Sequence, residues 1–397
     1  MYPPHHFGGY ELVWRSAMEH LRSRGHEVRV LTTDLRTDAR EPDDPGTYRE
    51  LRWHWRPGGF AKQTARERVA MARRNHAVLS AHLDSFRPDV MAWWSMGGLT
   101  LTMIEEVRRR GLPAAGFVHD DWLDYGRHVD GWLSMFGGRK RAAAPLGERL
   151  AGIPATVDLG AAARWVFVSE STHARAAALG LRLRDTAVTH SGIDPLFLDP
   201  APEREWAWRL LYVGRLDERK GVRTAVEALA KLPREATLRV TGGWDREEGR
   251  TLRGLAEWLG VGGRLTLDGQ VDRDALHEAY AAADTVVFPV IWDEPWGLVP
   301  LEAMARGRPV AATGRGGSAE YLRDGENCVL FSAGDPDALA AAVERLAGDP
   351  GLRSRLRAGG LDTAPRHTAD RFNDAVERHL VEVAGAAAAP AAQTAHA

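Results

Sequence analysis

Short apolar runs recur along this chain, each followed by a stretch in which apolar positions repeat at helical spacing. The first half carries EVRVLTT (27–33), DVMAWWS (89–95), AAGFVHD (114–120), RWVFVS (164–169) and TAVTH (186–190). The second carries RLLYVG (209–214), TLRVTGG (237–243), RLTLDG (264–269), DTVVFP (284–289) and RPVAAT (308–313). Strands alternating with helices predict parallel sheets joined by crossover helices, an α/β fold. Between the two series lies IDPLFLDPAPERE, rich in proline and carboxylates, which reads as a linker near residues 195–206. The pattern therefore predicts two Rossmann-like domains, 1–195 and 196–365. A helix over 366–384 follows the last strand of the second domain and is free to pack on either. The alanine-rich stretch 385–397 has no periodicity and reads as a frayed tail.

One element is absent from the pattern. A doubly wound unit opens with an apolar strand that runs into a glycine turn, yet here the turn YPPHHFGGY follows Met1 directly. The expectation is that a short apolar strand precedes Tyr2 in the native protein and that this numbering starts inside the gene.

Composition narrows the function classes. A chain of 397 residues exceeds a single core, and 44% hydrophobic with 27% charged residues is ordinary for a globular protein. The formal net charge of −2 offers no basic field for nucleic acid. The single cysteine, Cys328, excludes an intrachain disulfide and a cysteine-based zinc cage; within CVLF it reads as a small core residue. No apolar run reaches the roughly 18 residues that span a bilayer, and the start lacks a signal-peptide pattern, so a cytoplasmic location is expected. Arginine is the default cation: only Lys62, Lys140, Lys220 and Lys231 contribute lysines to a total of 52 Lys plus Arg.

Two segments of the second half carry candidate chemistry. DEPWGLVPLEAMARG, from Asp293, reads as a loop and then a helix beginning near Leu298, with Pro300 in the first turn and Gly307 as the stop. Unpaired N–H groups at a helix start suit a phosphate. Carboxylates accept hydrogen bonds from hydroxyls, so Glu294 before the helix and Glu302 within it can grip the two polyol ends of a nucleotide sugar. The plainer reading is that acidic residues favour helix starts generally. LLYVGRLDERKGVRTAVEAL, from Leu210, ends a strand at Gly214, offers Asp217 as a helix cap, and sets Arg215 and Lys220 in the turn. Two cations beside helix N–H groups can neutralise a diphosphate leaving group.

VGRLDERKG, the pair Glu294 and Glu302 with seven residues between them, HSGID (190–194) and PPHHFGG near the start together resemble the retaining nucleotide-sugar glycosyltransferases of family four. The resemblance covers nearly the whole chain. It implies the GT-B fold, two Rossmann-like domains whose parallel sheets face each other across a cleft. It implies that Arg215 and Lys220 bind the donor diphosphate, and that Glu294 holds donor-sugar hydroxyls. The backbone of Gly297 and Leu298 would meet the phosphate or sugar, and Glu302 the ribose. Gly8 and Gly9 would approach the diphosphate closely, and His119 would hydrogen-bond the reacting sugar. Catalytic roles fall on His119, Arg215, Lys220 and Glu294. The family's terminal helix crosses back to the first domain, which suits 366–384.

The resemblance further implies hexosyl transfer from a nucleoside diphosphate sugar, such as a UDP-sugar, to an acceptor hydroxyl with retention of configuration. Substitution on one face, with the leaving phosphate helping to deprotonate the acceptor, requires no side-chain nucleophile and no metal cofactor. The alternatives are a nucleotide-sugar epimerase of the same fold and a catalytically inactive binding protein derived from a transferase. Neither the base, the acceptor nor the oligomeric state is specified.

Three features compete for other roles. The acids and histidines of VHDDWLDYGRHVD (118–130) invite metal ligation, against the plainer reading of a solvated, hydrogen-bonded loop. Among the tryptophans of the first half, Trp93 reads as core, whereas Trp122 and Trp132, taken as loop residues near His119, are the acceptor-stacking candidates. KQTARERVAMARRNH (62–76) is a cationic helix for which contact with anionic lipid competes with simple solvation; its thin apolar stripe favours solvation.

Overall fold

The computed structural model describes residues 1–56, 59–244 and 246–388. Contacts divide the chain into two compact units, Met1–Thr189 together with Phe372–Ala397, and His190–Arg371.

The first unit opens with helix α1 (Gly9–Ser23), which buries Ala17, Met18 and Leu21. Strands β1 (Val30–Thr33) and β2 (Thr47–Leu51) pair in parallel as a two-stranded sheet. Helix α2 (Ala65–Phe86) begins at a capping box in which Thr64 and Glu67 bond each other's backbone N–H. Its buried residues Ala72, Asn75, His76, Leu79 and Leu83 recur at helical spacing, so the basic residues between them face outward. Strands β3 (Met91–Trp93), β4 (Ala114–Val118), β5 (Arg164–Phe167) and β6 (Thr186–Val188) form a separate parallel sheet in that order. All five residues of β4 are buried, as expected of an inner parallel strand covered on both faces. Helix α3 (Trp122–Val129) follows β4.

The second unit holds one six-stranded parallel sheet. In chain order its strands are β7 (Arg209–Val213), β8 (Thr237–Thr241), β9 (Leu265–Gly269), β10 (Thr285–Phe288), β11 (Val310–Ala312) and β12 (Val329–Leu330). They lie in the order β9-β8-β7-β10-β11-β12. Helices α4 (Val222–Leu229) and α5 (Leu298–Ala305) follow β7 and β10. Cys328 is buried beside β12, within the predicted apolar run.

Helix α6 (Ala369–Ala388) returns the chain to the first unit. Phe372, Val376 and Leu380 lie four residues apart and enter one cluster with Tyr2, Ala17, Met18 and Phe117. Burying each such side chain contributes about 1.5–3 kcal/mol. The helix continues over 385–388, where the sequence reads as tail; residues 389–397 lie outside the described residues. Among the described residues no helix is long and apolar enough to cross a membrane.

Candidate functional site

In the second sheet, strands β7 and β10 are neighbours, and the strand order runs outward in opposite directions from that pair. The loops leaving their carboxyl ends therefore diverge at a topological switch point, where open α/β sheets bind ligands. The loop after β7 carries Arg215 and Lys220; the loop after β10 carries Glu294. The N–H of Ile291 donates to the Arg219 carbonyl at 2.9 Å and ties the two loops together. Gly221 makes this approach possible: its φ is +69°, and a Cβ there would lie 1.9 Å from the Pro289 carbonyl oxygen.

Lys220 and Glu294 meet directly. The ammonium donates to Oε1 at 2.9 Å and to Oε2 at 2.7 Å, and the Trp292 indole N–H donates to Oε2 at 2.8 Å. Glu294 is buried and Lys220 only partly so. The Trp292 ring also receives cations: the Arg219 guanidinium lies 4.6 Å from its centroid and the Lys220 ammonium 5.6 Å. Asp217 accepts from the backbone N–H of Arg219 at 3.0 Å, pairs with the Arg219 guanidinium at 2.6 Å and lies 3.8 Å from that of Arg215. The hydrogen bond from the Arg219 side chain is the chief reason that the Asp217 carboxyl falls to about 2. Asp217 thus caps the short turn Glu218–Lys220 rather than α4 itself. The Arg215 side chain is about half exposed and available to an anion.

The loop before α5 is fixed from outside. The Gly317 N–H donates to the Glu294 carbonyl at 2.7 Å, and a Cβ on Gly316, with φ +62°, would lie 2.4 Å from that oxygen. Gly297, with φ +84°, is the residue before α5, and its carbonyl accepts from the Tyr321 hydroxyl. Glu302 lies further along α5 and accepts from the Tyr280 hydroxyl at 2.6 Å. Burial raises the Glu302 carboxyl, while the Tyr280 hydrogen bond acts in the opposite direction.

In the first unit His119 follows β4 in an aromatic setting. Its ring centroid is 5.0 Å from Tyr10, 5.6 Å from Phe372 and 5.9 Å from Trp94. Burial lowers its imidazole to about 3, so the ring is neutral near pH 7. Beside it Asp120 is raised to about 6, chiefly by burial, while accepting from the Trp122 N–H and the Tyr125 hydroxyl, both at 3.1 Å. Gly8 is the N-cap of α1; a Cβ on Gly9 would meet nothing within 4 Å inside this chain.

Trp122 and Trp132 are not the exposed acceptor-stacking residues that the sequence suggested. Trp122 starts α3 fully buried, with its ring edge-on to Trp165 at 5.7 Å. Trp132 is 3% exposed, packs on Phe136 at 4.7 Å and donates its indole N–H to the Pro154 carbonyl at 2.7 Å. Each ring is spent on the core, so neither has a face for an acceptor. Trp93 is buried, in keeping with its reading as core. The acidic stretch 118–130, most of it in α3, disperses into separate duties: Asp121 faces Arg175, Asp124 faces Arg127, and Asp130 accepts from the N–H groups of Leu101, Trp132 and Leu133. Sequence reasoning missed Arg219, Trp292, Tyr280 and Tyr321 at the second-unit site. Arg219 and Trp292 adjoin residues it did select, whereas Tyr280 lies 22 positions from Glu302 with no local signal.

The order of these two halves agrees with comparisons to known proteins. Residues 7–196 match the family described as Glycosyltransferase Family 4, and residues 199–362 match Glycosyl transferases group 1. The chain belongs to this glycosyltransferase family. It is 39% identical over 154 residues to a lipopolysaccharide core biosynthesis glycosyltransferase of Rhizobium meliloti, covering 39% of this chain and 44% of that one. It is 37% identical over 179 residues to a D-inositol 3-phosphate glycosyltransferase of Xylanimonas cellulosilytica, covering 43% of each. This glycosyltransferase family member thus spans less than half the length of those curated relatives. Among solved structures, the sucrose-phosphate synthase of Thermosynechococcus elongatus superposes with TM-score 0.74 at 22% identity, over 96% of this chain and 94% of that one. HepE of Anabaena, solved in complex with UDP, superposes with TM-score 0.58 at 20% identity, over 77% and 81%. The chain has the GT-B fold.

Proposed function

We propose that this protein is a retaining glycosyltransferase that moves a hexosyl group from a nucleoside diphosphate sugar to an acceptor hydroxyl. The observation that carries the reading is the Lys220–Glu294 pair at the switch point of the second sheet, with Arg215 on the same loop. In this reading Arg215 and Lys220 contact the diphosphate and stabilise its charge as the leaving group departs. Those two side chains supply the positive charge, without a metal. Glu294 accepts from donor-sugar hydroxyls while holding Lys220 in place. The residues at the start of α5, Gly297 and Leu298, meet phosphate or sugar through their backbone, and Glu302 accepts from the ribose. Gly8 and Gly9 leave room for the diphosphate, and neutral His119 hydrogen-bonds the sugar. The acceptor hydroxyl attacks the face from which the phosphate leaves, and the phosphate oxygen takes its proton.

The family membership and the UDP-bound relative support a nucleotide-sugar donor. The test is incubation of the purified protein with UDP-, GDP- and ADP-hexoses and an acceptor panel, with the anomer of any product read by NMR. Transfer with retained configuration is expected; an inverted product rejects the retaining assignment.

A further inference from the structure

An ionised carboxylate offers about four lone-pair sites on its two oxygens. At Glu294 three hydrogen bonds from within the chain already take such sites: Oε1 accepts from Lys220 at 2.9 Å, and Oε2 accepts from Lys220 at 2.7 Å and from the Trp292 indole N–H at 2.8 Å. Oε2 is therefore spent, and one site remains, on Oε1. The lysine obeys the same kind of count. An ammonium has about three donors, and with two of them on Glu294 a single one is left for a phosphate.

Lys220 alone would balance the charge of Glu294, so the contribution of Trp292 is to the number and direction of free acceptor sites. Its ring stands two residues before Glu294, while Asp293 between them is exposed and pairs with Arg315 at 3.1 Å. The ring is held from its face by the Arg219 guanidinium, 4.6 Å from the centroid, and Asp217 holds that guanidinium at 2.6 Å. On the other side the Gly317 N–H fixes the Glu294 backbone carbonyl at 2.7 Å. Indole and carboxylate are thus held against each other from both ends.

We propose that Trp292 determines donor-sugar specificity: by occupying Oε2 it leaves Glu294 one acceptor site, on Oε1, which reads one hydroxyl of the donor hexose. This rests on the sugar-binding role of Glu294 proposed above and narrows it to a single hydroxyl. An epimer that moves that hydroxyl cannot be followed across the carboxylate, because the second oxygen has no site to offer. It also leaves a buried, charged acceptor short of a donor, which costs more than the loss of an ordinary contact. Trp292 is a positioning residue, acting through Glu294.

The test is calorimetric titration of UDP-, GDP- and ADP-glucose, UDP-galactose and GDP-mannose into the parent, followed by the monodeoxy analogues of the hexose that binds most tightly. In the parent, loss of the hydroxyl that Glu294 reads should weaken binding at least about tenfold, and Glu294→Gln should relieve the penalty at that one position only. Trp292→Phe keeps an aromatic face for Arg219 and Lys220 but removes the N–H and frees a site on Oε2. Its preference for the best hexose over the epimer at that hydroxyl should fall at least about fivefold, while its affinity for the bare nucleoside diphosphate is unchanged. Adding Trp292→Phe to Glu294→Gln should alter the preference no further.

A ring that merely supports the loop would weaken sugar and diphosphate binding together, so a parallel loss overturns the proposal. An unchanged preference in Trp292→Phe overturns it as well. Relief at two or more hydroxyls in Glu294→Gln does the same, and needs no change at Trp292. Binding of the bare diphosphate without any hexose discrimination, in the parent and in Glu294→Gln alike, overturns instead the sugar-binding role on which the proposal rests.

Discussion

The Lys220 ammonium lies within 2.9 Å of both carboxylate oxygens of Glu294, a residue 74 positions away, and so joins two loops that leave adjacent strands. In the proposed reaction Lys220 meets phosphate, while Glu294 both meets sugar and holds the lysine. Replacing Lys220 with Ala removes a charged hydrogen bond to the leaving group. It should cost at least about 2 kcal/mol of transition-state stabilisation, roughly a thirtyfold fall in kcat/KM. Steady-state kinetics check this, and unchanged kcat at saturating donor would remove Lys220 from the chemistry.

Glu302 allows binding and stability to be separated. Burial raises its carboxyl, so the folded chain takes up a proton that the unfolded chain has already lost. Its contribution to stability therefore declines as pH rises above the unfolded value of about 4.3. The variant Glu302→Gln should gain thermal stability relative to the parent on going from pH 4 to pH 8, while binding donor more weakly. Melting curves and calorimetric titration read the two effects. Unaltered donor affinity would refute the ribose role.

His119 has the opposite pH signature. Its imidazole is lowered to about 3 from an ordinary 6.5, so the unfolded chain binds the proton first as pH falls. Stability from this group is fully present above 6.5 and declines below it. The parent should therefore lose melting temperature faster than His119→Gln between pH 7 and pH 5. Parallel slopes for the two proteins would contradict the lowered, neutral histidine.

Trp122 is expected to act on folding alone. Trp122→Ala should cost about 3–5 kcal/mol in denaturant unfolding, because a fully buried ring leaves a cavity. Trp122→Phe should keep most of the activity and leave the KM for acceptor unchanged. A raised acceptor KM with unaltered stability would restore the sequence-based assignment.

Much of the site was legible because its residues sit in continuous motifs. VGRLDERKG places cations, carboxylates and glycine after one strand, DEPWGLVPLE places carboxylates and glycine after another, and strand-end loops are where open parallel sheets bind ligands. The strands themselves were legible because β4 and β10 are buried throughout and read as unbroken apolar runs. Burial of individual large side chains was not legible. Trp122 and Trp132 occupy a polar stretch of sequence, and distant partners, Trp165 and the Pro154 carbonyl, help take them inside. β2, with half-buried residues and no apolar run, also gave no signal.

The central claim is that Arg215 and Lys220 together hold a diphosphate at the switch point of the second sheet. Calorimetric titration of UDP, GDP and ADP into the parent and into the Arg215→Ala, Lys220→Ala double variant tests it most directly. At least one diphosphate should bind the parent, and its affinity should fall by a hundredfold or more, about 2.7 kcal/mol, in the variant. Equal affinity in the two proteins, with the variant folded, would contradict the account.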